Sequence, residues 1–238
     1  MSTREQPAGD DATLAIREWL ARIGAGPPGE IAAACGLSER LVQNRLRYLA
    51  QDGEARSHRL LHGAPALHVL TRRGLRAAGR PELEAVSVSA SGFAHALAVA
   101  RVARILERSG RHVGGERELR AFERLEGRPL ASAEVGLARD GGIALHRPDL
   151  VCWDGPRPVA IEVELTVKAP ERLAAIVRGW ARSRLVDGVV YYATPAAARS
   201  LARAIRREAA AAMVTVVELE AAGEAEGAAA GGPPPADR

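Results

Sequence analysis

The chain has 238 residues, 47% of them hydrophobic but only 3% aromatic, and a formal net charge of +4. That length and apolar content allow one large or two small domains around a core of Ala, Leu, Val and Ile, and the charge favours an anionic partner only modestly. Two cysteines far apart, Cys35 and Cys152, in no C-x-x-C pattern, argue against a disulfide framework or a cysteine zinc site and read as small buried hydrophobes. The opening MSTREQPAGDDA has no basic-then-apolar signal sequence and no apolar run reaches the length of a membrane span, so the expectation is a cytoplasmic protein without a membrane partner.

Residues 1–10 are polar and are expected to be loose. Over 13–23, Leu14, Ile16, Trp19, Leu20 and Ile23 recur at mostly helical spacing until GAGPPG stops the helix. A short helix over 30–35 ends at Gly36. Ser38 then caps a third helix running to about residue 51, with Gly53 as its stop. In that helix Val42, Leu46 and Leu49 share one face, while Arg40, Gln43, Asn44 and Arg47 occupy the other. One face packs and the other offers hydrogen-bond donors suited to guanine and adenine edges.

This is the pattern of a helix-turn-helix whose third helix reads DNA, with Ala32 and Gly36 permitting a tight helix crossing. Strands over 55–61 and 66–70 across an HGAP turn make a winged version, and Thr71 caps the short helix of RRGLRAAG. Double-stranded DNA is the expected partner of this winged helix-turn-helix, residues 11–79, with Arg40, Gln43, Asn44 and Arg47 as its contacts. The same spacing also suits a small helical bundle whose polar face meets water. His58, His62 and His68 fall in or beside the wing, where phosphate contact, plain hairpin surface and zinc are the alternatives; their spacing matches no familiar zinc pattern.

Residues 80–91, RPELEAVSVSAS, mix proline, serine and small residues, which places a linker there and a second domain over 92–218. That domain starts with a helix over 93–106, followed by GERELR on a strand and a polar connection to about residue 142. HRPDLVCW and VAIEVELTV read as strands joined by a DGPRP turn. After them come a helix over 170–185, the strand GVVYYAT, a helix over 195–211 and the strand MVTVVEL. Strands alternating with helices imply an α/β sheet sandwiched by helices. Residues 219–238 are Ala, Gly and Pro without periodicity and are expected to form a disordered tail.

The chemistry concentrates in the second domain. Strands joined by so short a turn pair, so Asp149 can face Glu162, and alternation points Glu162 and Glu164 to one side. Three such carboxylates repel one another unless a bound Mg²⁺ or Mn²⁺ is present, and that metal can activate water for attack on phosphate. Glu116 and Glu118 are candidate further ligands. Lys168 is the only lysine, every other of the 33 basic residues being arginine, and a compact ammonium there can orient water or neutralise phosphate. Two bland readings compete: GC-rich codon usage leaves few lysines, and Glu162 and Glu164 form the wet face of an amphipathic strand. His95, on an apolar helix, reads as a core histidine, and His146 as flanking its strand.

The segment HRPDLVCWDGPRPVAIEVELTVK resembles the PD-(D/E)xK nuclease-like core, matching it at Pro148, Asp149 and Glu162. Glu164 stands where that family has its lysine, and Lys168 is placed to replace it from beyond the strand end. With LTRRGLRAAG, FAHALAVARV, GERELR and AIEVELTVKAPERL, the chain is similar over residues 12–210 to the replication-relaxation family of plasmid and mobile-element proteins. The resemblance implies an N-terminal winged helix-turn-helix followed by a restriction-endonuclease-like α/β sheet domain. It also implies plasmid replication, relaxation or mobilisation as the process, with DNA nicking as an activity and Asp149, Glu162, Glu164 and Lys168 as its residues. A relaxase or replication protein partner and a homodimer are compatible with it. Superfamily members that lose the pattern bind nucleic acid without cutting it, which leaves a non-catalytic DNA-binding accessory or a transcription regulator as the alternative.

Overall fold

The structure, a computed structural model, describes residues 9–138 and 141–219. Residues 1–8, and the expected tail beyond Leu219, lie outside the described residues. The chain is a mixed α/β protein with helices and several sheets. Among the described residues no helix is long and apolar enough to cross a membrane.

Helix α1 (Gly9–Ile23) begins earlier than its apolar spacing suggests, so residues 9 and 10 are helical rather than loose; Asp10 and Asp11 complement the positive end of its dipole. Within the glycine-rich stop lies β1 (Ala25–Gly26), too short to leave a period in the sequence. Pro28 opens α2 (Pro28–Cys35) at the position where a missing N–H costs nothing, and Gly36 ends it at φ 68°, a left-handed conformation that favours glycine. The Ser38 hydroxyl accepts the Leu41 N–H at 3.3 Å and so caps α3 (Glu39–Gln51), whose Val42, Leu46 and Leu49 are buried as their spacing requires. Next, β2 (Ala55–His58) pairs antiparallel with β3 (Leu67–Leu70), and β1 takes the other edge of β3. Thr71 caps α4 (Arg72–Ala77), accepting from Gly74 N–H and donating to the Gly53 carbonyl.

Residues 80–91 contain neither helix nor strand, yet Leu83 is buried and Arg80 pairs with Glu118 at 2.7 Å. Helix α5 (Phe93–Arg108) then joins the two halves of the chain. Its Glu107 accepts Trp19 Nε1 at 2.7 Å and pairs with Arg22, and its Arg104 pairs with Glu30. One apolar cluster contains Ile16, Leu46 and Leu75 from the first half and Val102, Val113 and Val163 from the second. Each buried Leu, Ile or Val contributes about 1.5–3 kcal/mol, whereas these partly buried ion pairs lose much of their Coulombic gain to desolvation, so the apolar seam dominates the join.

The second half continues with β4 (Val113–Gly115), α6 (Glu116–Glu126), β5 (Ala133–Leu137), β6 (Ile143–His146), β7 (Leu150–Cys152), β8 (Val159–Glu164), α7 (Pro170–Arg182), β9 (Gly188–Ala193), α8 (Pro195–Arg207) and β10 (Val214–Glu218). The main sheet runs β10-β9-β8-β7-β4; its pairs are antiparallel from β4 to β8 and parallel from β8 to β10. Each parallel pair needs a crossover, which α7 and α8 supply. These two helices bury Leu173, Trp180 and Leu201 with Val151 and Ala160, while Ile161 and Val163 join the cluster that contains α5 residues.

The expected polar connection is wrong over 116–137. GERELR opens a helix, not a strand, and β5 pairs with β6 as a separate hairpin. Buried carboxylates disguise the helix: Glu123 accepts from Ser132 Oγ (2.5 Å), Leu130 N–H (3.0 Å) and Arg147 Nε (2.7 Å), clamping both feet of the hairpin. Gly179 lets α7 lie against this hairpin, since a Cβ there would meet the Glu134 carbonyl at 2.6 Å.

Candidate functional site

The β7–β8 register pairs Leu150 with Ile161; Asp149 immediately precedes β7, and Glu162 follows Ile161 on β8. Asp149 Oδ2 accepts the Val163 N–H at 2.8 Å. His95 Nε2 lies 3.3 Å from the same oxygen and 3.1 Å from the Val163 carbonyl; because both partners accept, Nε2 carries the proton. The bond to Asp149 holds the His95 pKa above its ordinary value against the effect of burial. His95 is thus a pocket residue at the first turn of α5, not the core histidine expected from its apolar helix.

Glu162 is 5% exposed, and its Oε1 receives His146 Nε2 at 2.6 Å and Trp180 Nε1 at 3.2 Å. Burial pushes the Glu162 carboxyl up, and His146 pulls it back. His146 packs edge-on against Trp180 with ring centroids 5.9 Å apart, so it serves the site rather than merely flanking its strand. Glu164, also 5% exposed, accepts from the Lys168 ammonium. Burial pushes the Lys168 pKa down, while the charges of Glu162 and Asp149 oppose that shift. The wet-face reading fails, because both glutamates are buried.

All of these side chains except the fully buried Trp180 line an open cavity of about 470 Å³ together with Glu116, Arg120, Arg147 and Thr166. Glu116 pairs with Arg120 at 2.5 Å, whereas Glu118 turns away to Arg80. Every carboxylate of the cavity therefore has a cationic or imidazole partner. Burying such groups costs several kcal/mol each unless they are paired, and replacing the pairs with apolar residues is often neutral or stabilising. Stability alone does not account for this arrangement, and clustered buried charges facing a cleft mark a functional site.

Among the described residues no group of three or more His, Cys, Asp or Glu could hold a metal ion. The donors do fit a cation that needs fewer protein ligands. Hydrogen bonds occupy Asp149 Oδ2 and Glu162 Oε1, which leaves Asp149 Oδ1, just ahead of β7, and Glu162 Oε2, on β8, as hard oxygens. One or two carboxylates, completed by water and substrate phosphate, is the set magnesium takes. Asp149 and Glu162 would hold it, and Glu164 is engaged by Lys168.

On α3 the outer face presents Arg40, Gln43 and Arg47 exposed and Asn44 half-buried. Gln43 donates to Glu39 at 2.9 Å, and the Arg45 guanidinium lies 5.9 Å from the centre of the Tyr48 ring. Among the described residues Arg40 and Arg47 form no ion pair. His58 and His68 lie on the β2–β3 hairpin and His62 is exposed beyond β2. His68 is pushed down to about 4 by burial, then by the Arg59 and His58 charges. Cys152 is buried and Cys35 only half-buried, both as free thiols; burial pushes them up to about 11 and about 12, which makes them poor nucleophiles.

Sequence reasoning missed the roles of His95, His146 and Trp180. The available signal was His146-Arg-Pro-Asp149, a histidine three residues before the aspartate. No family model matches the chain, and no curated protein matches its sequence.

Proposed function

We propose that this chain is a duplex-DNA-binding protein, of the winged-helix plus restriction-endonuclease-like kind found in replication-relaxation proteins, and that its α/β pocket nicks DNA with Mg²⁺ or Mn²⁺. The observation that carries the reading is the half-buried Asp149 and the buried Glu162 lining one open cavity with Lys168. Bound there, a divalent cation supplies Lewis-acid charge and an activated water. The chain's own residues do the rest. His95 and the Val163 N–H orient Asp149, His146 and Trp180 fix Glu162, and Lys168 offsets phosphate charge. The exposed donors of α3 supply the DNA contact, and β2–β3 the wing.

A second reading, a DNA-binding accessory that does not cut, is favoured by two features. Each cavity carboxylate already has an internal partner, and Glu164 stands where the nuclease-like pattern has lysine. Supercoiled plasmid incubated with Mg²⁺ or Mn²⁺, with and without chelator, separates the two. Open-circular product that chelator prevents is expected; intact plasmid at protein concentrations that shift duplex DNA would select the accessory.

A further inference from the structure

Lys168 lies at residues 165–169 between β8 and α7, where neither helix nor strand fixes the backbone. Glu164, by contrast, ends β8 at a pinned point. Its carbonyl accepts the Thr194 N–H at 3.0 Å, and the Thr194 hydroxyl donates to the Leu165 carbonyl at 3.1 Å, which ties the strand end to the start of α8. The three acids of the pocket also differ in what holds them. Asp149 meets a backbone N–H and an imidazole, Glu162 an imidazole and an indole, and Glu164 a flexible amine. A lysine in a loop, with four rotatable bonds, samples solvent unless a fixed partner selects one arrangement.

We infer that Glu164 is a positioning residue that holds the Lys168 ammonium at the pocket, and not a ligand of the divalent cation. The inference rests on the proposed phosphodiester site, but its central test does not depend on nicking. Because Lys168 is the only lysine in the chain, protein labelled with ¹⁵N-lysine gives a single side-chain ammonium NMR signal.

In wild type, ion pairing should slow proton exchange and keep that signal sharp. Glu164→Gln should shift it and broaden it by faster exchange with water, and Glu164→Asp, one methylene shorter, should fall between. Mn²⁺ added without DNA should broaden the signal in wild type, and in Glu164→Asp over the same Mn²⁺ range, but not in Asp149→Asn. In the nicking assay Glu164→Gln should lose about 10–100-fold, and the double variant with Lys168→Gln should lose no more than Lys168→Gln alone, because both remove one unit. An ammonium signal unmoved by Glu164→Gln overturns the anchor. A tenfold rise in the Mn²⁺ needed by Glu164→Asp makes Glu164 a ligand and overturns it equally. Wild type that fails to nick under any divalent metal while the NMR results hold defeats the activity reading and leaves the anchor standing.

Discussion

The outer face of α3 and the acidic pocket are two polar clusters of similar size held in opposite ways. On α3, Arg40, Gln43 and Arg47 stand in solvent, and the helix is secured by Val42, Leu46 and Leu49 on its other side. In the pocket, Glu162 and Glu164 are buried and every acid has a partner: Asp149 and Glu162 are matched by His95 and His146 from distant parts of the sequence, Glu164 and Glu116 by the basic residue four positions on. An exposed polar group costs folding nearly nothing, so its spacing alone says little about purpose. A buried one must be satisfied, so its presence calls for a reason beyond stability. The α3 face is left to solvent; the acids of the pocket are satisfied within the fold.

The largest contrast should come from the pocket. Asp149→Asn keeps an acceptor for the Val163 N–H but removes the charge, and should lower metal-dependent nicking by about 10³-fold while shifting unfolding by less than about 1 kcal/mol. Duplex affinity, measured in parallel, should not change. Nicking within a few fold of wild type would remove Asp149 from the chemistry.

Next in size is Glu123, a buried acid outside the cavity lining. Glu123→Ala strands Arg147 and Ser132 beneath the β5–β6 hairpin and should cost about 3–5 kcal/mol in denaturant unfolding, whereas Arg40→Ala should stay within about 0.5. Equal small effects would erase the distinction between matched and solvated charge.

The same distinction explains what could be read in advance. Helices α1 to α4, the β2–β3 hairpin and the β7–β8 pair show in the sequence because apolar spacing, caps and turns are local. Helix α6 does not, because Glu118 and Glu123 occupy buried positions where an apolar period is sought. Asp149 and Glu162 are legible as a strand pair. Their partners His95 and Trp180 are not, since those contacts join residues on helices to strands that only the fold brings alongside, and nothing local marks them.

Histidines sharpen the comparison through pH. His68 has a folded pKa near 4 against an unfolded value of 6.5, so its contribution is fully present above 6.5 and is lost as pH falls toward 4, because the unfolded chain takes the proton first. His95, raised by Asp149, has the opposite sign: its contribution is present below the unfolded value and is lost as pH rises through the folded one. A shift from 6.5 to about 4 corresponds to about 3 kcal/mol at most, and partial exposure of His68 brings the expected loss to about 1–2. Unfolding midpoints between pH 7 and 4 should fall less steeply in His68→Gln. Parallel curves would show that the hairpin histidine does not resist protonation.

The smallest effect concerns the surface. Arg40→Ala with Arg47→Ala should leave stability unchanged and weaken duplex binding about 10-fold at moderate salt. If both guanidiniums meet phosphate, the slope of log affinity against log salt should flatten by about 2, since each contact contributes about 0.9. Loss of net charge alone would imitate part of this result. Arg199 and Arg203 on α8 are also exposed and, among the described residues, form no ion pair, so their double alanine variant removes the same charge from a different surface. A flattened slope in the α3 variant only would place DNA on α3. Equal changes in both would mean that the protein attracts DNA by its overall charge, and no change in either would take recognition away from this helix.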